Sequence, residues 1–171
     1  IKKIKSQQYE IYGKGLGSLY CKKGTILDFQ NSGTLCRLLT GILATTPNID
    51  VNLTGDSSLK KRNMSKLINL MSEFGAEFFP KNKFFLPLRM VSSEIPIGIK
   101  YKAGVSAQLK SAVALAATNS FGVTNIIEEK MSRDHTENML LNSTNIIKIK
   151  KGKKKLIKIY GKRYLNFLNI K

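Results

Sequence analysis

The stretch LDFQNSGTLCRLLTGIL, residues 27–43, decides the fold of this chain of 171 residues. From residue 32 onward, its apolar side chains recur at the spacing of a helix, at Leu35, Leu38, Leu39, Ile42 and Leu43. Asn31 or Ser32 is suited to cap that helix, because either side chain can accept a hydrogen bond from a free backbone N–H of the first turn. The alternation of residues 49, 51 and 53 then predicts a strand.

Working outward from this stretch, one order of elements occurs twice. The first unit is predicted to contain a strand at 9–12, a helix from 32, a strand at 49–53, a helix over 64–74 ended by Gly75, and a hairpin of 78–80 with 84–88. The second is predicted to contain a strand at 97–101, a helix at 106–119, a strand at 123–127, a helix at 134–141 begun by a capping-box-like Asp134 and Glu137, and a hairpin of 146–149 with 156–159.

The predicted fold class is therefore α/β (α+β), built from repeated β-α-β-α-β-β units. The units span about 9–90 and 97–160, a period that indicates similar modules within one domain. Both first helices are apolar enough to be largely buried, and the alanines of residues 106–119 permit close helix packing. The expected arrangement is inside-out, with buried helices and outer sheets.

Composition restricts the function. The net charge of +18 favours anionic partners, although a composition rich in Lys, Ile and Asn, typical of an AT-rich genome, explains much of it equally well. No apolar run approaches the roughly 20 residues of a membrane helix. Cys21 and Cys36 are expected to be reduced thiols, with one disulfide as the alternative, and a single histidine offers no metal site. The chain has no initiator Met or signal segment, and we expect it to be cut at both ends.

Four junctions between a loop and a helix are candidates for binding an anion. Residues 31–34 open a helix with Arg37 one turn later, and a helix N-terminus with Gly33 admits an anion close to the backbone. Residues 54–62, TGDSSLKKR, place Arg62 where a bidentate contact to phosphate or carboxylate is possible. An ordinary helix cap and an exposed basic turn are the respective alternatives.

The other two junctions lie in the second unit. In residues 106–111, SAQLKS, Ser106 is either the N-cap or a ligand-binding residue, and Gln108 is suited to point at a ligand. In residues 132–137, SRDHTE, Arg133 either holds an anion or forms a surface salt bridge to Glu129 or Glu137.

Taken in order and spacing, these four motifs resemble the 5-enolpyruvylshikimate-3-phosphate synthases. Residues 27–37 resemble the signature Leu-Asp-x-Gly-Asn-Ser-Gly-Thr-x-x-Arg, residues 54–64 resemble a second signature that usually ends Arg-Pro-Met, and SAQLKSA with SRDHTENML complete the set. The departures are Gln30 in place of glycine, Asn63 in place of proline, and an unusual approach to Ser106 at residues 102–104.

The resemblance implies an enolpyruvyl transferase fold of two lobes, each with three such units. The chain would be part of the N-terminal lobe, with the start of a third unit at 164–171 and the second lobe absent. The implied reaction transfers the enolpyruvyl group of phosphoenolpyruvate to the 5-hydroxyl of shikimate 3-phosphate and releases phosphate, without a metal or organic cofactor. The family further implies a cytoplasmic enzyme of aromatic amino acid biosynthesis that is monomeric when full length.

The resemblance also assigns residues. Shikimate 3-phosphate would be bound by Ser106, Ala107, Gln108 and Arg133, phosphoenolpyruvate by Gly33, Arg62 and Gln108, and the Gly33 loop would be shaped by Asn31 and Arg37. The proton-transfer residues are expected in segments outside this chain, so the chain alone is expected to be inactive. In this family, glycine at the position of Gly33 is associated with sensitivity to glyphosate.

Two other functions remain open at this level, and so does a non-catalytic remnant of the enzyme. The sister enzyme that transfers enolpyruvyl to UDP-N-acetylglucosamine shares the expected fold, although SAQ and RDHT favour the shikimate enzyme. A basic nucleic-acid-binding domain is supported by the charge and by Tyr9, Tyr12 and Tyr20, but no nucleic-acid motif accompanies them.

Overall fold

A computed structural model describes residues 1–142 and 145–164. After a hairpin of β1 (Lys2–Lys5) and β2 (Gln8–Glu10), the first unit comprises β3 (Thr25–Asp28), α1 (Gly33–Ala44), β4 (Asp50–Thr54), α2 (Ser57–Lys60), α3 (Ser65–Glu73), β5 (Glu77–Phe79) and β6 (Leu88–Val91). The second comprises β7 (Lys100–Ala103), α4 (Ala107–Asn119), β8 (Val123–Glu128), α5 (His135–Leu140), β9 (Ile147–Lys150) and β10 (Lys155–Tyr160). No described helix is long and apolar enough to cross a membrane.

The two units build sheets of the same topology. Their strand orders are β3-β4-β6-β5 and β7-β8-β10-β9. In each sheet the first two strands are parallel and the others antiparallel. The last residues of the parallel pairs correspond, since Asp28 faces Thr54 in one sheet and Ala103 faces Glu128 in the other. The predicted fold class is confirmed.

The helices lie at the centre, where α1 packs against α4. Helix α4 is buried around most of its circumference, as expected of a helix without a polar face. Gly41 brings the two backbones together: a Cβ there would lie 2.5 Å from the carbonyl oxygen of Ala112. Buried helices between outer sheets are thus made possible by small residues at the crossing.

The structure corrects several predicted boundaries. The strand expected at 9–12 is wrong as the first strand of the unit, because residues 8–10 pair only with β1 and the sheet begins at β3. The second hairpin strand expected at 84–88 begins at Leu88, and the strand expected at 97–101 begins at Lys100. Helix α2 was not expected. Of the third unit predicted at 164–171, only residue 164 lies among the described residues.

Candidate functional site

The loop before α1 is held in an unusual backbone conformation. Gln30, at the position where the family's usual residue is glycine, has a φ of 47°. Its backbone N–H donates to Asp28 Oδ1 at 2.8 Å, and its carbonyl accepts from the Asp56 N–H at 2.9 Å. Left-handed φ values favour glycine, so the backbone of Gln30 is strained, and these two bonds hold it in that conformation. They also join the loop before α1 to the loop before α2.

Two guanidinium groups converge on Gly33, which is buried at the start of α1. Arg37 Nη1 donates to the Gly33 carbonyl at 3.0 Å, and Arg62 Nη2 donates to Asn31 Oδ1 at 2.9 Å. A Cβ on Gly33 would lie 2.6 Å from Arg62 Nη1 and 2.8 Å from Arg37 Nη1. Glycine is therefore the residue that lets both cations approach the helix N-terminus.

Gln108 connects this cationic site to the second unit. Its Oε1 accepts from Arg37 Nη1 at 3.0 Å, and its Nε2 donates to Thr34 Oγ1 at 2.7 Å. Beside this link lies a cleft of about 480 Å³, lined by Arg37, Asn63, Met64, Ser65, Lys66, Leu67, Ser106, Gln108 and Leu109. The structure thus brings together six of the eight predicted residues, namely Gly33, Arg37, Arg62, Asn31, Gln108 and Ser106.

Ser106 lies on the wall of the same cleft and caps α4. Its Oγ accepts from the Leu109 N–H at 3.4 Å, as Ser32 Oγ accepts from the Leu35 N–H at 3.2 Å in the first unit. The N-cap interpretation is confirmed, and Ala107 follows as the first residue of α4. Substrate binding by these two residues stays a prediction.

Arg133 is exposed just before α5 and makes no hydrogen bond or ion pair with residues 1–142 or 145–164. The alternative of a salt bridge to Glu129 or Glu137 is wrong, because Glu129 pairs with Lys154 at 2.6 Å and Glu137 turns inward. The predicted capping box of Asp134 and Glu137 is also wrong, because Glu137 turns inward. Asp134 makes no side-chain cap bond and instead accepts from Asn138 Nδ2 at 3.1 Å.

Glu137 belongs to a set of four buried charges, Lys110, Glu128, Glu137 and Lys155, called here the buried charge cluster. Lys110 Nζ lies 2.8 Å from Glu128 Oε1 and 2.7 Å from Glu137 Oε1. Lys155 Nζ lies 3.3 Å from Glu137 Oε1 and 3.7 Å from Glu128 Oε2. Two lysines and two glutamates make the cluster neutral, and no side chain in it is more than 8% exposed.

Hydrogen bonding favours the charged forms of Lys110 and Glu128. Burial acts to lower the pKa of the Lys110 ammonium, but its bonds to Glu128 and Glu137 outweigh burial and raise that pKa. Burial acts to raise the pKa of Glu128, but bonds from Lys110 and Ser132 hold it below the ordinary value. Glu128 Oε1 also accepts from the Ser132 N–H at 2.7 Å and from Ser132 Oγ at 2.8 Å.

Sequence reasoning missed this cluster, although a signal was present. Lys110 occupies a position between Leu109 and Val113 on an otherwise apolar helix. Glu128 shares a strand face with Ile126, and Lys155 shares one with Ile157. A lone charge at an inward position of each of two paired strands indicates a buried ion pair. Thr34, which binds Gln108, carried no such signal.

Comparison with known proteins identifies a matching family. A family model described as EPSP synthase (3-phosphoshikimate 1-carboxyvinyltransferase) matches residues 1–170. The chain belongs to the EPSP synthase family.

Relatives and a solved structure agree with this membership. The 3-phosphoshikimate 1-carboxyvinyltransferase of Jannaschia sp. is 42% identical over 133 residues, 77% of this chain and 29% of the relative. That of Parvibaculum lavamentivorans is 41% identical over 152 residues, 88% of this chain and 33% of the relative. The EPSP synthase structure from Acinetobacter baumannii superposes with a TM-score of 0.72 at 34% identity, covering 82% of this chain and 31% of that chain. The chain thus spans about a third of the length of the EPSP synthases it matches.

Proposed function

We propose that the protein carrying this chain transfers the enolpyruvyl group of phosphoenolpyruvate to the 5-hydroxyl of shikimate 3-phosphate and releases inorganic phosphate. The observation that carries the proposal is the convergence of Arg37 and Arg62 on Gly33, joined through Gln108 to the start of α4. Family membership supports the reaction, and this geometry supports a site where two anions are held side by side.

The proposed division of the site follows its two units. Phosphoenolpyruvate is bound by Gly33, Arg62 and Gln108, while Ser106, Ala107, Gln108 and Arg133 bind shikimate 3-phosphate. Arg62 is exposed and its Asn31 partner is neutral, so its charge is available to a ligand. Preorganised cations and backbone donors offset the repulsion between two phosphorylated substrates and align them for reaction.

Arg37 has a different proposed role. It spans α1 and α4 by donating to the Gly33 carbonyl and to Gln108 Oε1. Its bond to Oε1 and the bond from Nε2 to Thr34 fix the orientation of the Gln108 amide, and the second Nε2 hydrogen remains for a ligand. Asn31 holds Arg62 beside the loop in the same way. Both residues shape the site in this proposal.

The test is a coupled assay of the full-length protein, which we propose to be cytoplasmic and monomeric. Phosphate release from phosphoenolpyruvate should require shikimate 3-phosphate and should not occur with UDP-N-acetylglucosamine. Activity with the UDP-sugar alone would assign the sister reaction instead. Tight DNA or RNA binding that weakens steeply with salt would favour the nucleic-acid alternative.

Two further outcomes are expected of the same protein. Glyphosate should inhibit it, because Gly33 leaves open the space that a Cβ would take beside both arginines. Unchanged activity at high glyphosate would contradict this expectation. The 171-residue chain alone should be inactive, since the acid and base groups are expected outside it. Turnover of both substrates by that piece would refute this point.

A further inference from the structure

We propose that the buried charge cluster is a positioning device for Arg133, acting through Glu128 and Ser132. The inference rests on the proposed function of Arg133 as a ligand of shikimate 3-phosphate. It adds residues that make no contact with substrate, yet determine where the substrate-binding arginine lies.

The first link is the attachment of the Arg133 loop to the end of β8. Glu128 Oε1 accepts from both the backbone N–H and the Oγ of Ser132, the residue that precedes Arg133. Glu128 is itself fully buried and fixed by Lys110. The loop that carries Arg133 is otherwise exposed, and it is attached to the core at the residue directly before this arginine.

The second link fixes the other end of the loop to the same helix that carries Gln108. Lys110, two residues after Gln108, binds Glu137 of α5 at 2.7 Å. The neighbouring pair makes a second contact, in which Thr136 Oγ1 donates to Ser111 Oγ at 2.8 Å. Because Arg133 lies between these two attachments, its backbone is held at a set place relative to the start of α4.

The cluster suits this role because it is neutral and inaccessible. Buried charges that are paired and hydrogen-bonded have few alternative arrangements, since every rearrangement exposes an uncompensated charge to an apolar surrounding. Arg133 itself has no polar partner among the described residues, so the polar contacts that set its place are those of the neighbouring Ser132, Thr136 and Glu137. Rigid support of an unpartnered side chain is what preorganised binding of an anion requires.

The experiment is a double-mutant cycle on the full-length enzyme, with Ser132→Ala, Arg133→Ala and the double variant. Ser132→Ala removes one of the two bonds to Glu128 and should raise the KM for shikimate 3-phosphate about 3- to 10-fold. The kcat and the KM for phosphoenolpyruvate should change less than about twofold. In the Arg133→Ala background the same substitution should have no further effect, because the two residues act in series. Ser132→Thr, which keeps the hydroxyl, should restore the KM.

The matched control is Ser120→Ala. Ser120 is buried, and its hydroxyl, like that of Ser132, donates a hydrogen bond, here to the Ala117 carbonyl at 3.1 Å at the opposite end of α4. It should leave the KM for shikimate 3-phosphate unchanged. An equal effect of Ser132→Ala with and without Arg133, or no effect at all, would overturn the proposal.

A second measurement separates this proposal from the proposed function. Amide hydrogen exchange in residues 129–134 of the substrate-free protein should become faster in Ser132→Ala and stay unchanged in Ser120→Ala. If the wild-type protein failed to use shikimate 3-phosphate, the proposed function would fall, whereas unchanged exchange in Ser132→Ala would refute the positioning role whatever the activity.

Discussion

The two units share a topology but fill equivalent positions with different chemistry. Aligning the N-caps Ser32 and Ser106 places Cys36 opposite Lys110, and the strand registers place Thr54 opposite Glu128. The first unit buries a neutral thiol there, whose pKa is raised by burial to about 11 in spite of the neighbouring Arg37. The second unit buries an ion pair at the same place.

The difference separates two ways of presenting a cation to a ligand. In the first unit, Arg62 is exposed and Arg37 half-buried, and side-chain and carbonyl oxygens orient their guanidinium groups directly. In the second, the charges are inside, and the exposed Arg133 has no hydrogen-bond or ion-pair partner among the described residues, so in our proposal it is oriented through the attachments of its loop. One unit therefore fixes its arginines by contacts at their tips, and the other by contacts at the base of the loop.

The largest effect should come from Lys110→Met. This change leaves Glu128 and Glu137 buried with only Lys155 to compensate them, and should lower the free energy of unfolding by about 3–5 kcal/mol. Urea unfolding of the full-length protein measures the loss. Lys154→Met, which breaks an exposed pair with Glu129 in the same unit, should cost less than about 1 kcal/mol. Equal losses would show that burial of the charges is not what distinguishes the units.

Arg62→Ala tests whether the exposed arginine of the first unit binds phosphoenolpyruvate. Loss of a charged hydrogen-bonding group should raise the KM for phosphoenolpyruvate about 10- to 100-fold and leave the free energy of unfolding little changed. Steady-state kinetics of the full-length enzyme measures this shift. The neighbouring Lys61→Ala removes the same charge from the same exposed turn and should change the KM less than about twofold. A comparable rise with Lys61→Ala would mean that general positive charge, not the placement of Arg62, attracts the substrate.

Gly41→Ala tests the contact between the units. The added methyl would lie 2.5 Å from the Ala112 carbonyl oxygen and should destabilise the protein by about 1–3 kcal/mol through overpacking. Thermal unfolding measures the effect. Gly13→Ala is the matched control, since nothing lies within 4 Å of a Cβ at Gly13. If both variants unfolded alike, α1 and α4 would not depend on close approach at Gly41.

The smallest effect should come from the two helix caps. Ser32→Ala and Ser106→Ala each remove one side-chain acceptor and should cost about 1 kcal/mol of stability. Chemical denaturation measures this cost, and Ser58→Ala, at an exposed position in α2, serves as control. Because only Ser106 is proposed to bind shikimate 3-phosphate, only Ser106→Ala should also raise that KM. Identical kinetic behaviour of the two variants would remove Ser106 from the binding site.

The repeat was predictable because it depends on local patterns, whereas several contacts depend on tertiary packing. The helical stripe of α1 illustrates the limit. Leu35 satisfies the period but is 51% exposed, while Cys36 and Thr40 are buried. The face of α1 that packs closely against α4 carries small residues such as Gly41. Hydrophobicity alone does not reveal which face of a helix a neighbouring backbone will contact.

The candidate site shows the same division. Gly33 and Arg62 were found from the composition of loop-to-helix junctions, which is a local signal. The bond between Thr34 and Gln108 joins residues 74 positions apart, and it depends on how α1 and α4 pack. The role of Asn63, which stands where proline is usual, also became clear only from the structure. Its Oδ1 accepts from the Ser65 N–H at 2.8 Å, a contact that helps to start α3 without a proline.

The close crossing at Gly41 has a consequence for the integrity of the molecule. Since the seam between the halves is a helix–helix contact and not a shared strand, the peptide bonds of the connection between β6 and β7 are not what joins them. A protease cut in residues 94–98 would break the chain but leave the two units associated through their helices. A denaturing gel would then show two fragments, whereas the mass measured in solution would remain that of the uncut chain.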